Sequence, residues 1–317
     1  MPQAPRLNSP IFPLLLVAVL FTSPAAAAPP AASASSRPNF DGIWNSATAT
    51  PLERPAQFKD KAFFSPQEAA DWERRAATRN EDPKPDAPVR GFISYNATFY
   101  EHGTTLSPTL RTSIVTDPAD GRIPALTPAA AAEKNLRLDM LNHPRSATDL
   151  GLQDQCLVFP TAVAPMRPYI YNSNYQIIQT ANEVMINVEM AHDTRVIHLD
   201  RQSHLPSDVQ LWLGDSVGHW QDSTLVVDTT NFKDGNGFFG DAGGMFGSDK
   251  NLHVVERFSL ADANTIRYQF EVDDPTAFTR PWKGEFTMSR TAGPIFEYAC
   301  HEGNYALEDL LNGAHAQ

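Results

Sequence analysis

From Tyr175 onward the chain is a succession of short β-favouring runs with small turns between them, at 175–180, 183–190, 195–200, 217–221, 224–230, 252–260, 264–273, 281–290 and 294–300. Runs of this length and spacing predict an antiparallel meander. Within one of them Ile266, Tyr268, Phe270 and Val272 alternate with Arg267, Gln269, Glu271 and Asp273, the period of a strand with one buried and one wet face. Eight or more such strands in series commonly remove their exposed edges by closing into a barrel. The expected fold is therefore mainly β: an antiparallel meander from about Phe92 to Cys300, closing into a barrel or a strongly curved sheet. An N-terminal helical excursion and a short C-terminal helix over Ala306 to Leu311, ending at Gly313, decorate it.

Residues 1–27 have the pattern of a secretory signal, with Arg6 as the one charge, an apolar stretch from Ile11 to Phe21 and small residues at Ala25, Ala26 and Ala27. That stretch is too short to span a bilayer comfortably. A periplasmic or secreted product without a membrane anchor is expected. Residues 28–38 form a Pro/Ala/Ser lead-in, and 39–317 are expected to be a single β-rich domain with helical insertions around 65–79 and 127–142. Ser65, Pro66 and Glu68 make a capping box for the first insertion, and Thr127 with Pro128 opens the second. Three prolines between Asn80 and Pro88 predict an exposed excursion; Asn39–Trp44 reads as a strand entry, and Phe92–Tyr100 and Thr112–Thr116 as extended segments. The formal net charge of −12 disfavours nucleic acid and anionic lipid as partners.

The C-terminal run from Glu297 to Tyr305 holds Tyr298, Cys300, His301, Glu302, Asn304 and Tyr305, a thiol, an imidazole, carboxylates, an amide and phenols within nine residues. Cys156 and Cys300 are the two cysteines, and export makes one disulfide the expected state; a catalytic thiol or a metal thiolate would need a motif that neither carries. Residues 191–194 are expected to turn a hairpin that gathers Glu189, His192 and Arg195, with Arg195 at the rim of the apolar side, either as an anion-holding group or as part of a solvated turn. Asp228 shares a face with Val226 and Thr230, so it is either sunk into the barrel or paired at its mouth, while Thr229 to Asn231 closes a strand through local hydrogen bonds or contacts substrate. Trp220 lies in the same strand–turn–strand segment. Glu256, among Val254, Phe258 and Leu260, is either paired with Arg280 or Arg290 or a general acid or base of raised pKa.

His192, His198, His253 and His301 stand near these carboxylates, but no HExxH or other ligand pair occurs, so no metal and no cofactor is expected. The stretch Asp234–Gly247, with Phe238, Phe239 and Phe246, is either an apolar lid or an irregular connection.

The strings Phe40-Asp41-Gly42-Ile43-Trp44, Thr50-Pro51-Leu52-Glu53-Arg54-Pro55, Asp120-Gly121-Arg122-Ile123-Pro124, Glu189-Met190-Ala191-His192-Asp193 and Tyr298-Ala299-Cys300-His301-Glu302-Gly303-Asn304-Tyr305 together resemble a family of exported, uncharacterised bacterial proteins. That resemblance implies export and no activity. Gly42, Trp44 and the meander separately resemble lipocalin-like or calycin barrels, which implies a closed β-barrel. The functional expectation is a cofactor-independent enzyme of lyase, dehydratase, cyclase or isomerase type. It would perform acid–base chemistry on a small, largely apolar or aromatic ligand, with His192 or His301 as acid/base, Glu302, Glu256 and Asp228 as further catalytic candidates, and Arg195, Trp220, Asn231, Tyr298, Asn304 and Tyr305 as binding residues. The alternative is a periplasmic lipocalin-like carrier, which needs the same pocket and no catalyst.

Overall fold

A computed structural model describes residues 37–78, 101–169, 172–235 and 249–315. The signal, nearly all of the lead-in, the Asn80–Pro88 excursion, the Phe92–Tyr100 segment and most of Asp234–Gly247 lie outside the described residues. The strands are β1 (Gly42–Asn45), β2 (Val115–Asp117), β3 (Asn174–Gln179), β4 (Glu183–Val188), β5 (Thr194–His198), β6 (Asp215–Gln221), β7 (Thr224–Thr230), β8 (His253–Asp262), β9 (Thr265–Asp273) and β10 (Trp282–Thr291). Helices α1 (Pro66–Ala77), α2 (Pro128–Asn142) and α3 (Ala306–His315) flank them. None of these helices is long and apolar enough to cross a membrane.

The strands close a ring in the order β1-β3-β4-β5-β6-β7-β8-β9-β10, because β1 pairs with both β3 and β10, and β2 adds to the free stretch of β10. The fold is thus a nine-stranded closed barrel, as the meander predicts. Three features differ from expectation. The closing strand β1 forms at the expected Asn39–Trp44 strand entry but belongs to the ring itself, outside the expected Phe92–Cys300 span. The pair β5–β6 is parallel, with only Ile197 opposite Ser216 and His198 opposite Val217, so the chain must cross over through residues 199–214 between them. Residues 294–300 form no strand: the chain turns at Gly293, whose φ is +75°, and Pro294 has no N–H to give a ladder.

Local capping agrees with the sequence. Ser65 accepts from the backbone N–H of Glu68 and Glu68 accepts from that of Ser65, while Thr127 accepts from the N–H of Ala130. Helix α3 continues through Gly313 instead of ending there.

Inward residues of the strands, among them Trp44, Tyr175, Ile186, Phe258, Tyr268, Phe286 and Met288, share one core with the irregular segment 150–167. Leu150, Leu152, Val158, Phe159, Ala162 and Met166 of that segment are buried. Its backbone is tied to barrel side chains, because Tyr175 Oη donates to the Thr161 carbonyl at 3.2 Å and the Met166 N–H donates to Tyr268 Oη at 3.0 Å. A smaller cluster, Ala49, Phe64, Ala69, Ala76 and Leu106, seats α1, and Trp72 Nε1 fixes it by donating to the Ala49 carbonyl at 2.8 Å.

The barrel interior also holds a charged pair. Arg195, 1% exposed, donates from Nη1 to Glu256 Oε1 at 2.9 Å and from Nη2 to Glu256 Oε2 and, at 2.8 Å, to Thr229 Oγ1; its Nε reaches Ser216 Oγ at 3.0 Å. Tyr268 Oη donates to Glu256 Oε1 at 2.6 Å. Arg195 therefore stands inside the barrel rather than at a rim, because β4–β5 pairing sets it opposite Ile186 and the turn occupies residues 189–193 instead of 191–194. It, not Arg280 or Arg290, is the partner of Glu256. Arg280 pairs with Asp117, and Arg290 lies over the Trp44 ring, 4.2 Å from its centroid, with Nη1 donating to the Asp41 carbonyl. Burial opposes the charge of Arg195, but the Glu256 carboxylate outweighs it and the guanidinium pKa is raised. Burial, then Glu256, pushes the Tyr268 phenol well above its ordinary value.

Cys156 and Cys300 are bonded, with Cα atoms 5.8 Å apart and a sequence separation of 144. In the chain-entropy model a loop of that length is worth about 5 kcal/mol, so Cys156→Ser with Cys300→Ser should lower the denaturation midpoint markedly. Arg195→Met, which strands the Glu256 carboxylate in the core, is expected to cost roughly 3–5 kcal/mol, and the double change Arg195→Met, Glu256→Leu to cost less than the single one. Urea unfolding of the three variants checks both; a single-variant cost near zero would mean that the pair is dispensable.

Candidate functional site

Because Ser216, Thr229 and Glu256 point inward, strand alternation turns their neighbours Asp215 and Asp228 to the outer wall. The β6–β7 register sets Val217 opposite Asp228 and Asp215 opposite Thr230, which brings the two carboxylates to one patch. His253 opens β8 beside them. Its Nε2 lies 3.0 Å from both Oδ1 and Oδ2 of Asp228, and each side chain is 41% exposed. From the crossover 199–214, His204 places Nε2 at 2.9 Å from Asp228 Oδ1 and Nδ1 at 3.1 Å from Asp215 Oδ2. Arg201 Nη2 donates to Asp215 Oδ1 at 2.6 Å, and the Leu205 N–H donates to its Oδ2 at 3.0 Å. The result is a chain of alternating basic and acidic side chains, Arg201, Asp215, His204, Asp228 and His253, running from the crossover to solvent.

Asn231 holds that crossover. Its Nδ2 donates to the carbonyls of Leu205, Pro206 and Val209, and its carbonyl accepts from Leu211 N–H. The backbone there has φ +58°, a left-handed conformation that Asn tolerates better than most residues. Its side chain is thus committed to the loop.

Partial burial pushes the Asp228 carboxyl up, but hydrogen bonds and charge from His253 and His204 outweigh it and hold the group below its usual range. Asp215 is likewise lowered: burial raises it, and Arg201, the Leu205 N–H and His204 more than compensate. The hydrogen bond to Asp228 lifts His253 above its ordinary value against partial burial, with Asp228, Asp273 and Glu271 adding charge attraction. Among the described residues no hydrogen bond reaches His253 Nδ1. A carboxylate orienting one imidazole nitrogen while the other stays open is the arrangement that general acid–base transfer requires.

A second polar region gathers several of the residues picked out in sequence. His192 Nδ1 accepts from the Tyr298 N–H at 3.3 Å, the Tyr298 ring meets Phe159 edge-on at 5.6 Å, and Asn304 Nδ2 lies 3.4 Å from Cys156 Sγ of the disulfide. Ala191 and His192 both have left-handed φ, 58° and 56°, in the turn after β4. Asp193 beside them is pushed up to about 6 by burial, which a hydrogen bond from the Phe159 backbone only partly opposes. His301, Glu302 and Tyr305 are exposed, Tyr305 at 72%. Glu189 is buried between the amides of Asn172 and Asn174 rather than paired with Arg195. Trp220 stacks on Phe40, ring centroids 5.8 Å apart and planes 7° from parallel.

The structure thus brings Asp228 to two histidines, and His192, Tyr298, Asn304 and the disulfide to one another, but joins neither set to Arg195 or Glu256. Sequence reasoning missed Asp193, Arg201, His204 and Asp215. His204 sits in a stretch with no strand period, and Asp215 opens β6 two residues before the predicted start, so only the β6–β7 register reveals their meeting. No group of three or more His, Cys, Asp or Glu among the described residues has an arrangement that could hold a metal ion.

The raised His253 and lowered Asp228 give a signed prediction. The contribution of His253 to stability is full below its unfolded pKa of about 6.5 and is lost as pH rises through the higher folded value; that of Asp228 is present above about 3.9 and is lost as pH falls through the lower folded value. A profile of Tm against pH should therefore flatten on both flanks in Asp228→Asn, and identical profiles for the variant and the wild type would refute the pairing. No family model, curated protein or solved structure matches the chain. Its function has to be argued from the site itself.

Proposed function

We propose that this chain is an exported acid–base enzyme that needs only its own side chains, acting on a small, largely apolar molecule with a carbonyl or similar polar group. The Asp228–His253 pair is its proton-transfer centre. The observation that carries the reading is the half-exposed His253, oriented through Nε2 by both carboxylate oxygens of Asp228, while no hydrogen bond among the described residues reaches Nδ1. An imidazole held above its ordinary pKa by such a partner is a stronger base when neutral and remains an available acid when charged. Asp228 stabilises the imidazolium that forms when Nδ1 takes a proton. His192, whose Nδ1 accepts from Tyr298, is less suited to that role. Export rests on the pattern of residues 1–27 and on the likeness of the Tyr298–Tyr305 string to an exported bacterial family.

The carrier reading has less support, since a lipocalin-type ligand needs the barrel interior. Phe159, Ala162 and Met166 are packed into that core, and the Arg195–Glu256 pair lies within it.

Proton transfer is testable without knowing the natural substrate. A panel of apolar ketones and aldehydes in deuterated water should exchange hydrogens next to the carbonyl faster with wild-type protein than with buffer. The excess should fall by roughly 10²–10⁴ in His253→Gln. No excess exchange with any compound, or an undiminished rate in His253→Gln, overturns the assignment.

A further inference from the structure

Asp228 is shared: its Oδ1 accepts from His204 at 2.9 Å and from His253 at 3.0 Å. The two imidazoles arrive on different elements, His253 on β8 and His204 on the crossover between β5 and β6. On its far side His204 faces Asp215, which is 3% exposed and held by Arg201 and the Leu205 N–H. A carboxylate oxygen lies at each ring nitrogen of His204, so the ring is fixed between the two acids.

We propose that His204, fixed by Asp215 and Arg201, is a positioning residue for the Asp228–His253 pair, so that the crossover 199–214 governs how tightly Asp228 holds the His253 proton. This rests on the functional reading above only for its meaning; the coupling itself is a property of the resting protein. A hydrogen bond from His204 Nε2 to Asp228 Oδ1 competes with His253 for the same oxygen and leaves it a weaker acceptor for the His253 proton. The other groups facing His253 are Glu271 and Asp273 of β9, which the variants below leave untouched. A coupling through one shared carboxylate makes the loop a regulator of a residue that it does not contact.

The test is an NMR pH titration of the His253 ring in the full chain, with no substrate present. In His204→Gln the imidazole that shares Asp228 Oδ1 with His253 is lost. In Asp215→Asn the ring of His204 loses the carboxylate that fixes it against Asp228. The His253 midpoint should therefore rise in both variants. A midpoint that stays put or falls in either folded variant overturns the proposal, even if Tm drops, because a merely structural role moves stability alone. If His204→Gln does not fold, Asp215→Asn alone decides. No excess carbonyl exchange in the wild type, with the titration shift present in the variants, sinks the enzyme reading and leaves the coupling standing; the reverse result sinks only the coupling.

Discussion

A guanidinium and a carboxylate, both withdrawn from water, meet where the barrel is least secured by its backbone. The parallel pair β5–β6 contributes two Cα partners, far fewer than the neighbouring β6–β7 or β8–β9 ladders. Arg195 bridges that seam from β5 to Ser216 on β6, to Thr229 on β7 and to Glu256 on β8, and Tyr268 carries the network to β9. Side-chain hydrogen bonds thus link five strands where main-chain ones are few. Such a network is costly unless complete, because each polar atom has lost its water; every nitrogen of this guanidinium has an acceptor, which is why the core tolerates it.

The same network organises the surface. By holding Ser216 and Thr229 inward it turns Asp215 and Asp228 outward, and the crossover demanded by the parallel pair brings Arg201 and His204 onto them. The interior pair and the exterior charge chain are thus two sides of one set of strands. The segment 150–167, bonded to Tyr175 and Tyr268, shares the core that the barrel encloses, and this leaves the outer wall as the place where titratable groups meet water.

Much of the fold was legible because it follows from local rules. Short β-favouring runs bounded by turns located β3 to β10 to within a few residues, and the Ser65–Pro66–Glu68 and Thr127–Pro128 signatures located two helices. What was not legible depends on pairing between distant segments. The closure of the ring by Gly42–Asn45, the parallel seam and the meeting of His204 with Asp228 leave no periodic trace in the sequence. Burial of Glu256 was readable from its apolar neighbours; its partner was not, because Arg195 lies 61 residues away on a strand that is not adjacent. Asp228 and His253 were visible as residue types, but only the register of β7 on β8 makes them a pair.

The adjacency of Asp215 to Ser216 and of Asp228 to Thr229 bears on how the chain finds its alignment. Strand side chains change face with every step, so sliding β6 or β7 by one residue would exchange a small hydroxyl for a carboxylate at the Arg195 network and expel the hydroxyl to solvent. The misaligned strand would carry a second anion into the core beside Glu256 and take one of its two carboxylate partners from His204 outside. Each of these dipeptides therefore acts as a two-position code, penalising the shifted pairing on both faces at once and confining the folding chain to a single alignment at its weakest seam.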